Sequence, residues 1–230
     1  MTKPASVLVV AAHPDDEALG CGGTVAKWTA AGVAVHVAFI ADGVSSRDAS
    51  STQAGRQELE TRREAARQAC KILSTSEPFF GDIPDNRADT VALLDIVRIV
   101  ESLVERHRPD TVLTHHFGDL NVDHRCVHQA VMTACRPQQG HPVRTVLCFE
   151  VPSSTEWQAP GQRLDFSPNW FEDISATLEV KLQALQAYSG EIRAWPHPRS
   201  LRAVEALARW RGATAGCDAA EAFMLGRQLQ

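Results

Sequence analysis

His13-Pro14-Asp15-Asp16-Glu17 sets one imidazole and three carboxylates at the end of the apolar run Val7–Ala12. His13 and Asp16, three residues apart, can converge on one point above a strand tip, as metal ligands do. A second stretch repeats the arrangement. Residues 109–114 run as a strand into His115-His116-Phe117-Gly118-Asp119-Leu120-Asn121-Val122-Asp123-His124, after which helical periodicity resumes. His13, Asp16 and His124 then make a set of two imidazoles and one carboxylate, with a coordination position open to water and substrate and Asp15 spare beside it as a base. Taken singly, these residues also read as helix-start decoration. Pro14 suits a first turn, where the N–H it lacks would have no partner, and the helix dipole favours acidic residues there. Recurrence in two loops favours the metal site.

Such a set needs a frame that brings remote loops together. Apolar runs at 6–12, 33–41, 111–115 and 143–151 read as strands, and helical patterns occupy 18–31, 56–73, 90–107 and 123–135. Further helices are expected around 174–188 and 200–211, with Pro152, Pro160, Pro168, Pro196 and Pro198 in the connections. This alternation predicts an α/β fold, a Rossmann-like three-layer α/β/α arrangement around a mostly parallel sheet. Ligands of such sheets bind beyond the carboxyl ends of the strands, where His13–Glu17 lie. With no linker, repeat or low-complexity segment, residues 1–230 read as a single domain. Trp157, Trp170 and Trp195 sit in the later loops as candidate pocket walls, or as surface packing.

Composition excludes some partners. A net charge of −5 over 230 residues carries no basic stripe for nucleic acid or an anionic membrane. No stretch reaches the length of a membrane span and the first apolar run is too short for a signal segment, so a cytoplasmic protein is expected. The six cysteines form no C-x-x-C pair and read as free structural thiols.

His13–Glu17 followed by Gly20-Cys21-Gly22-Gly23, together with Asp119–Arg125, resembles the PIG-L/LmbE family of metal-dependent N-deacetylases. Pro84-Asp85-Asn86-Arg87, Phe149–Trp157 and Pro196-His197-Pro198-Arg199-Ser200 resemble a subgroup of diacetylchitobiose and N-acetylglucosamine deacetylases. The resemblance implies Zn2+ held by His13, Asp16 and His124, with Asp15 as general base. The metal would lower the pKa of water towards ~7 and polarise an amide carbonyl; Asp15 would take the proton and pass it to the leaving amine. Asp123 would orient an imidazole, or cap a helix.

One position departs from the commoner family pattern, in which a histidine two residues before the D-H pair stabilises the oxyanion. Here it is Asn121, whose amide donates a hydrogen bond but carries no charge. His197, between two prolines, takes that part by likeness to the chitobiose-type subgroup; His115 or His116 could instead support the ligands. For sugar recognition the likeness points to Arg62 and Asp85, a charged pair suited to ring hydroxyls. Arg63 is an alternative contact, and Asp85-Asn86 an alternative turn. The implied partner is a small N-acetylated amino sugar or glycoconjugate, and a homo-oligomer is open because His197 could reach its own site or a neighbour's.

Three rivals remain on sequence grounds. The same ligand set serves iron(II) oxygenases, whose usual frame is all-β. Gly20-Cys21-Gly22-Gly23 faintly suggests a nucleotide-binding module, but carboxylates fill the strand-to-helix turn where a pyrophosphate would sit. A member that has lost catalysis is disfavoured by the presence of Asp15 and all three ligands.

Overall fold

The computed structural model describes residues 3–44, 52–159, 161 and 165–229. Seven strands form one sheet: β1 (Ser6–Ala11), β2 (Ala34–Ala41), β3 (Phe79–Ile83), β4 (Thr111–His115), β5 (Thr145–Phe149), β6 (Trp170–Asp173) and β7 (Ala220–Gln228), in the order β3-β2-β1-β4-β5-β7-β6. The first five are mutually parallel, and β7 runs antiparallel between β5 and β6. Among the described residues six α-helices pack around them: α1 (Asp16–Ala30), α2 (Gln53–Ile72), α3 (Leu93–His107), α4 (Val122–Ala134), α5 (Leu178–Ala187) and α6 (Leu201–Ala215).

β1 explains the layering. Alternate side chains of a strand face opposite sides of the sheet. Val7, Val9 and Ala11 join α1, α2 and α5 in one core, while Leu8 and Val10 join α3 and α4 in the other. A strand covered on both sides needs the unbroken apolar run seen in the sequence. α3 buries Ile96, Val97, Val100, Leu103 and Val104, a single helical stripe. Strand order reverses between β1 and β4, so their carboxyl ends flank a crevice. His13 follows one of these ends and His116–His124 follow the other.

Gly20-Cys21-Gly22-Gly23 lies within α1 and not in the turn before it, which corrects the nucleotide-loop alternative. A Cβ on Gly20 would come within 2.3 Å of the Phe149 ring. The helix breaks at Cys21 (φ −146°), and buried partners repair the break. Lys181 donates to the Leu19 carbonyl (2.8 Å), and Glu221 accepts the amides of Gly23 (2.9 Å) and Thr24 (2.7 Å). Lys181 and Glu221 also pair with each other at 2.5 Å. Because removing one member strands a buried charge, Lys181→Ala is expected to cost about 3–5 kcal/mol, checked by denaturant unfolding.

β3, β6 and β7 escaped the sequence reading. β3 is short and holds Gly81, where a Cβ would meet the Ile40 carbonyl oxygen at 2.3 Å. β6 has four residues, and Trp170 in it donates to Glu172 (3.1 Å) at the sheet edge, away from the crevice at the carboxyl ends of β1 and β4. β7 is rich in Ala and polar residues, so it lacks the expected apolar run. The helix expected from 174 begins at Leu178, and that expected from 56 begins at Gln53. All six cysteines are free. Pro160 lies outside the described residues. Among the described residues, no helix is long and apolar enough to cross a membrane.

Candidate active site

The two loops meet around Asp16. Its Oδ2 stands 3.4 Å from His13 Nδ1 and 3.4 Å from His124 Nε2. Two ligands bound at 2.0–2.2 Å to a tetrahedral zinc are about 3.4 Å apart, so the spacing suits a shared cation. Asp16 Oδ1 and His124 Nε2 are buried with no hydrogen-bond partner. A stranded buried polar atom costs roughly 1–3 kcal/mol, and one ligand atom each of His13, Asp16 and His124 lies within 4.8 Å of the others, close enough to share an ion. The donors present therefore fit a divalent metal held by His13, Asp16 and His124.

Each imidazole is backed by a carboxylate. Asp123 Oδ2 lies 2.9 Å from His13 Nε2, and its two oxygens also accept the amides of Asn86 (2.7 Å) and Ala88 (2.9 Å). Asp119 Oδ1 faces His124 Nδ1 at 3.1 Å and is held by the hydroxyls of Ser154 and Thr155. Carboxylates in this position fix ring orientation and raise ligand basicity. Asp123 thus serves His13 and not its neighbour His124. The part beside His124 falls to Asp119, which the sequence reading left without a role because no spacing rule marks it. His13, Asp85 and Asp123 also cluster closely enough to hold an ion. The amides already on Asp123, however, make that group the support of His13.

His115 is no free ligand, since its Nε2 accepts the Ala12 amide at 2.8 Å. It stacks on His124 with ring centroids 3.9 Å apart. Burial, reinforced by the charge on His124, holds His115 well below the ordinary imidazole range and so neutral. His116, also buried, donates its backbone N–H to the Phe149 carbonyl.

Charge at the centre follows from the pairing. Burial opposes ionisation of Asp16, yet the charge on His124, with hydrogen bonds from His124 and His13, prevails and holds it well below the usual carboxylate range. Burial also opposes protonation of His124, but Asp16 and Asp119 raise it to about 9. Without a cation His124 therefore carries a proton at neutral pH, and an incoming metal must displace it. Cation uptake is expected to release protons and to weaken as pH falls from about 9. Calorimetric titration in buffers of different ionisation enthalpy at several pH values checks this.

Asp15 stands beside the ligands and outside their set. Its backbone has φ 125°, a region that L-residues enter only under constraint. Arg199 Nη1 reaches Asp15 Oδ2 at 3.0 Å, and Arg199 Nε donates to Ser153 Oγ at 2.7 Å. Burial raises Asp15 above the ordinary aspartate value, though Arg199 and Arg62 restrain the rise. Arg62 pairs with Glu191 at 2.8 Å, and Glu191 lies 3.6 Å from Arg199. Arg199 and Glu191 had no assigned role in the sequence, although Arg199 follows His197 by two residues.

A cavity of about 260 Å³ opens over these groups, lined among others by His13, Asp15, Arg62, Asp85, Asn121 and His197. Arg63 instead places its guanidinium 5.5 Å from the Phe80 ring, so Arg62 is the arginine that faces the cavity. Asp85 Oδ1 is 3.1 Å from His13 Nε2. The Asn121 amide also caps α4: its oxygen accepts the amides of Asp123 (2.8 Å) and His124 (3.4 Å), while its nitrogen donates to Asn86 (3.2 Å). His197 Nδ1 accepts the Arg199 amide at 3.1 Å, leaving Nε2 as the ring's donor. Trp157 lines the cavity with its ring edge-on to His197, whereas Trp195 lies under Arg202 and is half exposed.

Comparison with known proteins gives the family of this chain. The family model described as "PIG-L: GlcNAc-PI de-N-acetylase" matches residues 8–135, more than half of the chain, from β1 through α4 and all three candidate ligands. The chain belongs to the PIG-L family. This PIG-L chain is 30% identical over 192 residues to the "Uncharacterized deacetylase YaiS" of Escherichia coli K12, covering 81% of this chain and 91% of that one. It is 28% identical over 214 residues to the "4-oxalmesaconate hydratase" of Pseudomonas putida, covering 85% and 78%. The solved N,N'-diacetylchitobiose deacetylase of Pyrococcus horikoshii shares its fold, with a TM-score of 0.77 over 97% of this chain and 84% of that one at 18% identity. By family the PIG-L chain is an enzyme of the amidohydrolase class, with a candidate His-Asp-His metal group.

Proposed function

We propose that this chain removes the acetyl group from an N-acetylglucosamine-type sugar or glycoconjugate, with Zn2+ as its metal, and releases acetate. One observation carries the reading: an unligated carboxylate, Asp15, stands next to a buried His-Asp-His group with unpartnered donors, on the wall of a cavity of about 260 Å³. That volume lies just under the usual 300–1,000 Å³ of small-molecule pockets, which suits one sugar ring with its acetamido arm.

His13, Asp16 and His124 would hold the zinc, which would supply Lewis acidity towards an acetamido carbonyl and acidify water. The chain's own residues do the rest. Asp15 accepts a proton from the attacking water and delivers it to the departing nitrogen, so one carboxylate serves first as base and then as acid. Arg199 fixes the direction of that carboxylate. Nε2–H of His197 donates to the oxygen that gains charge during attack, the place Asn121 leaves short because its amide caps α4. Arg62 and Asp85 offer hydrogen bonds to ring hydroxyls from the cavity wall, and Asp119 and Asp123 keep both imidazoles aimed.

His197→Ala is expected to lower kcat by ~10²–10³ while metal content stays unchanged, read by steady-state assay beside metal analysis. An unchanged kcat would move the oxyanion role to another donor. Acetate release by the zinc-loaded protein across a panel of N-acetylglucosaminides tests the function itself. No release from any of them would refute it.

The Pseudomonas putida relative supports a second reading, addition of water to a carbon–carbon double bond. Arg62, Arg193 and Arg199 all line the cavity and would suit a polycarboxylate. Consumption of an unsaturated dicarboxylate with no activity on the acetamido panel would favour that reading.

A further inference from the structure

Asp15 has the highest φ of the positive-φ non-glycine residues described, 125°. Such a backbone costs roughly 1–3 kcal/mol and persists only where surrounding contacts impose it. Glycine would adopt it freely but brings no carboxylate. The Asp15 carbonyl is fixed by the Leu19 amide (2.9 Å), in the first turn of α1. The Asp15 N–H, whose direction sets φ, donates to Glu17 Oε2 at 3.1 Å.

Glu17 is in turn held from outside its helix. Its Oε1 accepts the hydroxyl of Tyr188 at 2.6 Å, and neither side chain is more than 1% exposed. A carboxylate needed only for the helix dipole would stay in water, since burying it carries a large desolvation cost. Tyr188 closes α5, and its carbonyl accepts the amides of Glu191 (2.8 Å) and Ile192 (3.3 Å), the start of the segment that carries Glu191, Arg193, His197 and Arg199 into the cavity wall. That segment therefore grips Asp15 twice, at its carboxylate through Arg199 and at its amide through Tyr188 and Glu17.

We infer that Glu17, anchored by Tyr188, is a positioning residue that holds the Asp15 backbone in the conformation aiming its carboxylate into the cavity, so that base and cavity wall are set as one unit. The inference rests on the reading of Asp15 as the base. Without the anchor Asp15 relaxes to an ordinary φ and its carboxylate turns away from Arg199, although Asp16 and both imidazoles keep their places.

Three variants of the zinc-loaded full chain separate positioning from simple stabilisation. Glu17→Ala removes the acceptor. Glu17→Gln keeps a carbonyl for the Asp15 amide and turns its NH2 to the Tyr188 oxygen, leaving the Tyr188 hydroxyl without an acceptor and lowering Tm. Tyr188→Phe keeps the packing and frees Glu17. With N,N'-diacetylchitobiose as probe, kcat is expected to fall about 100-fold in Glu17→Ala, about 10-fold in Tyr188→Phe and less than about 3-fold in Glu17→Gln, with KM and zinc affinity unchanged. Hydrogen exchange of the Asp15 amide, followed by NMR, should accelerate about 100-fold in Glu17→Ala and about 10-fold in Tyr188→Phe, and stay as in the parent in Glu17→Gln. The inference is overturned if kcat simply follows Tm across the variants, or if the amide stays protected in those of Glu17→Ala and Tyr188→Phe that fold. A parent protein inert towards the probe would count against the deacetylase reading, while the exchange experiment, which needs no turnover, still decides the inference.

Discussion

Asp15→Asn is expected to lower kcat by about 10³–10⁴-fold with its full metal content retained, because general acid–base catalysis contributes on that scale. Asparagine is the informative replacement here. It tolerates positive φ as aspartate does, so the backbone at 125° survives and the substitution removes only the proton acceptor. Arg199 keeps Glu191 at 3.6 Å as a neighbour, which limits its displacement. Alanine at 15 would mix loss of the base with relaxation of the strained backbone. Steady-state kinetics beside metal analysis of the same preparation reads the result, and near-normal turnover would remove Asp15 from the chemistry.

The second large effect concerns the cation. His124→Ala deletes one of three donors and leaves Asp16 and Asp119 buried against an empty volume. Zinc affinity should fall by more than the ~10–100-fold typical of losing a supporting residue, and turnover should vanish at any practical metal concentration. Asp119→Asn is the paired control, since it leaves all three donors and weakens only the grip on His124. It should bind zinc ~10–100-fold less tightly and regain turnover when zinc is raised. Equal zinc affinity in His124→Ala and the parent protein would mean that the ion sits elsewhere.

Sequence spacing picked out the candidate ligands because His13, Asp16 and His124 follow two strands plainly written in the chain, and the fold brings them together. The run of β1 after Ser6 has no polar interruption, β4 is buried throughout, and each leads into a turn crowded with His and Asp. β3, β6 and β7 lacked that mark. The first two are short edge strands, and β7 takes its place through pairing with β5 and β6, a relation between distant segments. The same distinction separates the ligands from their supports. Asp123 was visible as a neighbour of His124, but its service to His13 depends on two loops 110 residues apart meeting. Asp119, Arg199 and Glu191 act through partners that only the folded chain supplies, and Glu17 read as helix decoration until Tyr188 was found against it. The resemblance of Pro196–Ser200 to a known block points to His197, while Arg199 in the same block is the residue that contacts Asp15.

Anomalous diffraction at the zinc edge from crystals of the zinc-loaded protein addresses the metal centre most directly. One peak about 2.0–2.2 Å from His13 Nδ1, Asp16 and His124 Nε2, with Asp15 unligated beside it, is the expected result. A peak on His13 Nε2 between Asp85 and Asp123, or direct coordination by Asp15, would contradict both the ligand set and the base.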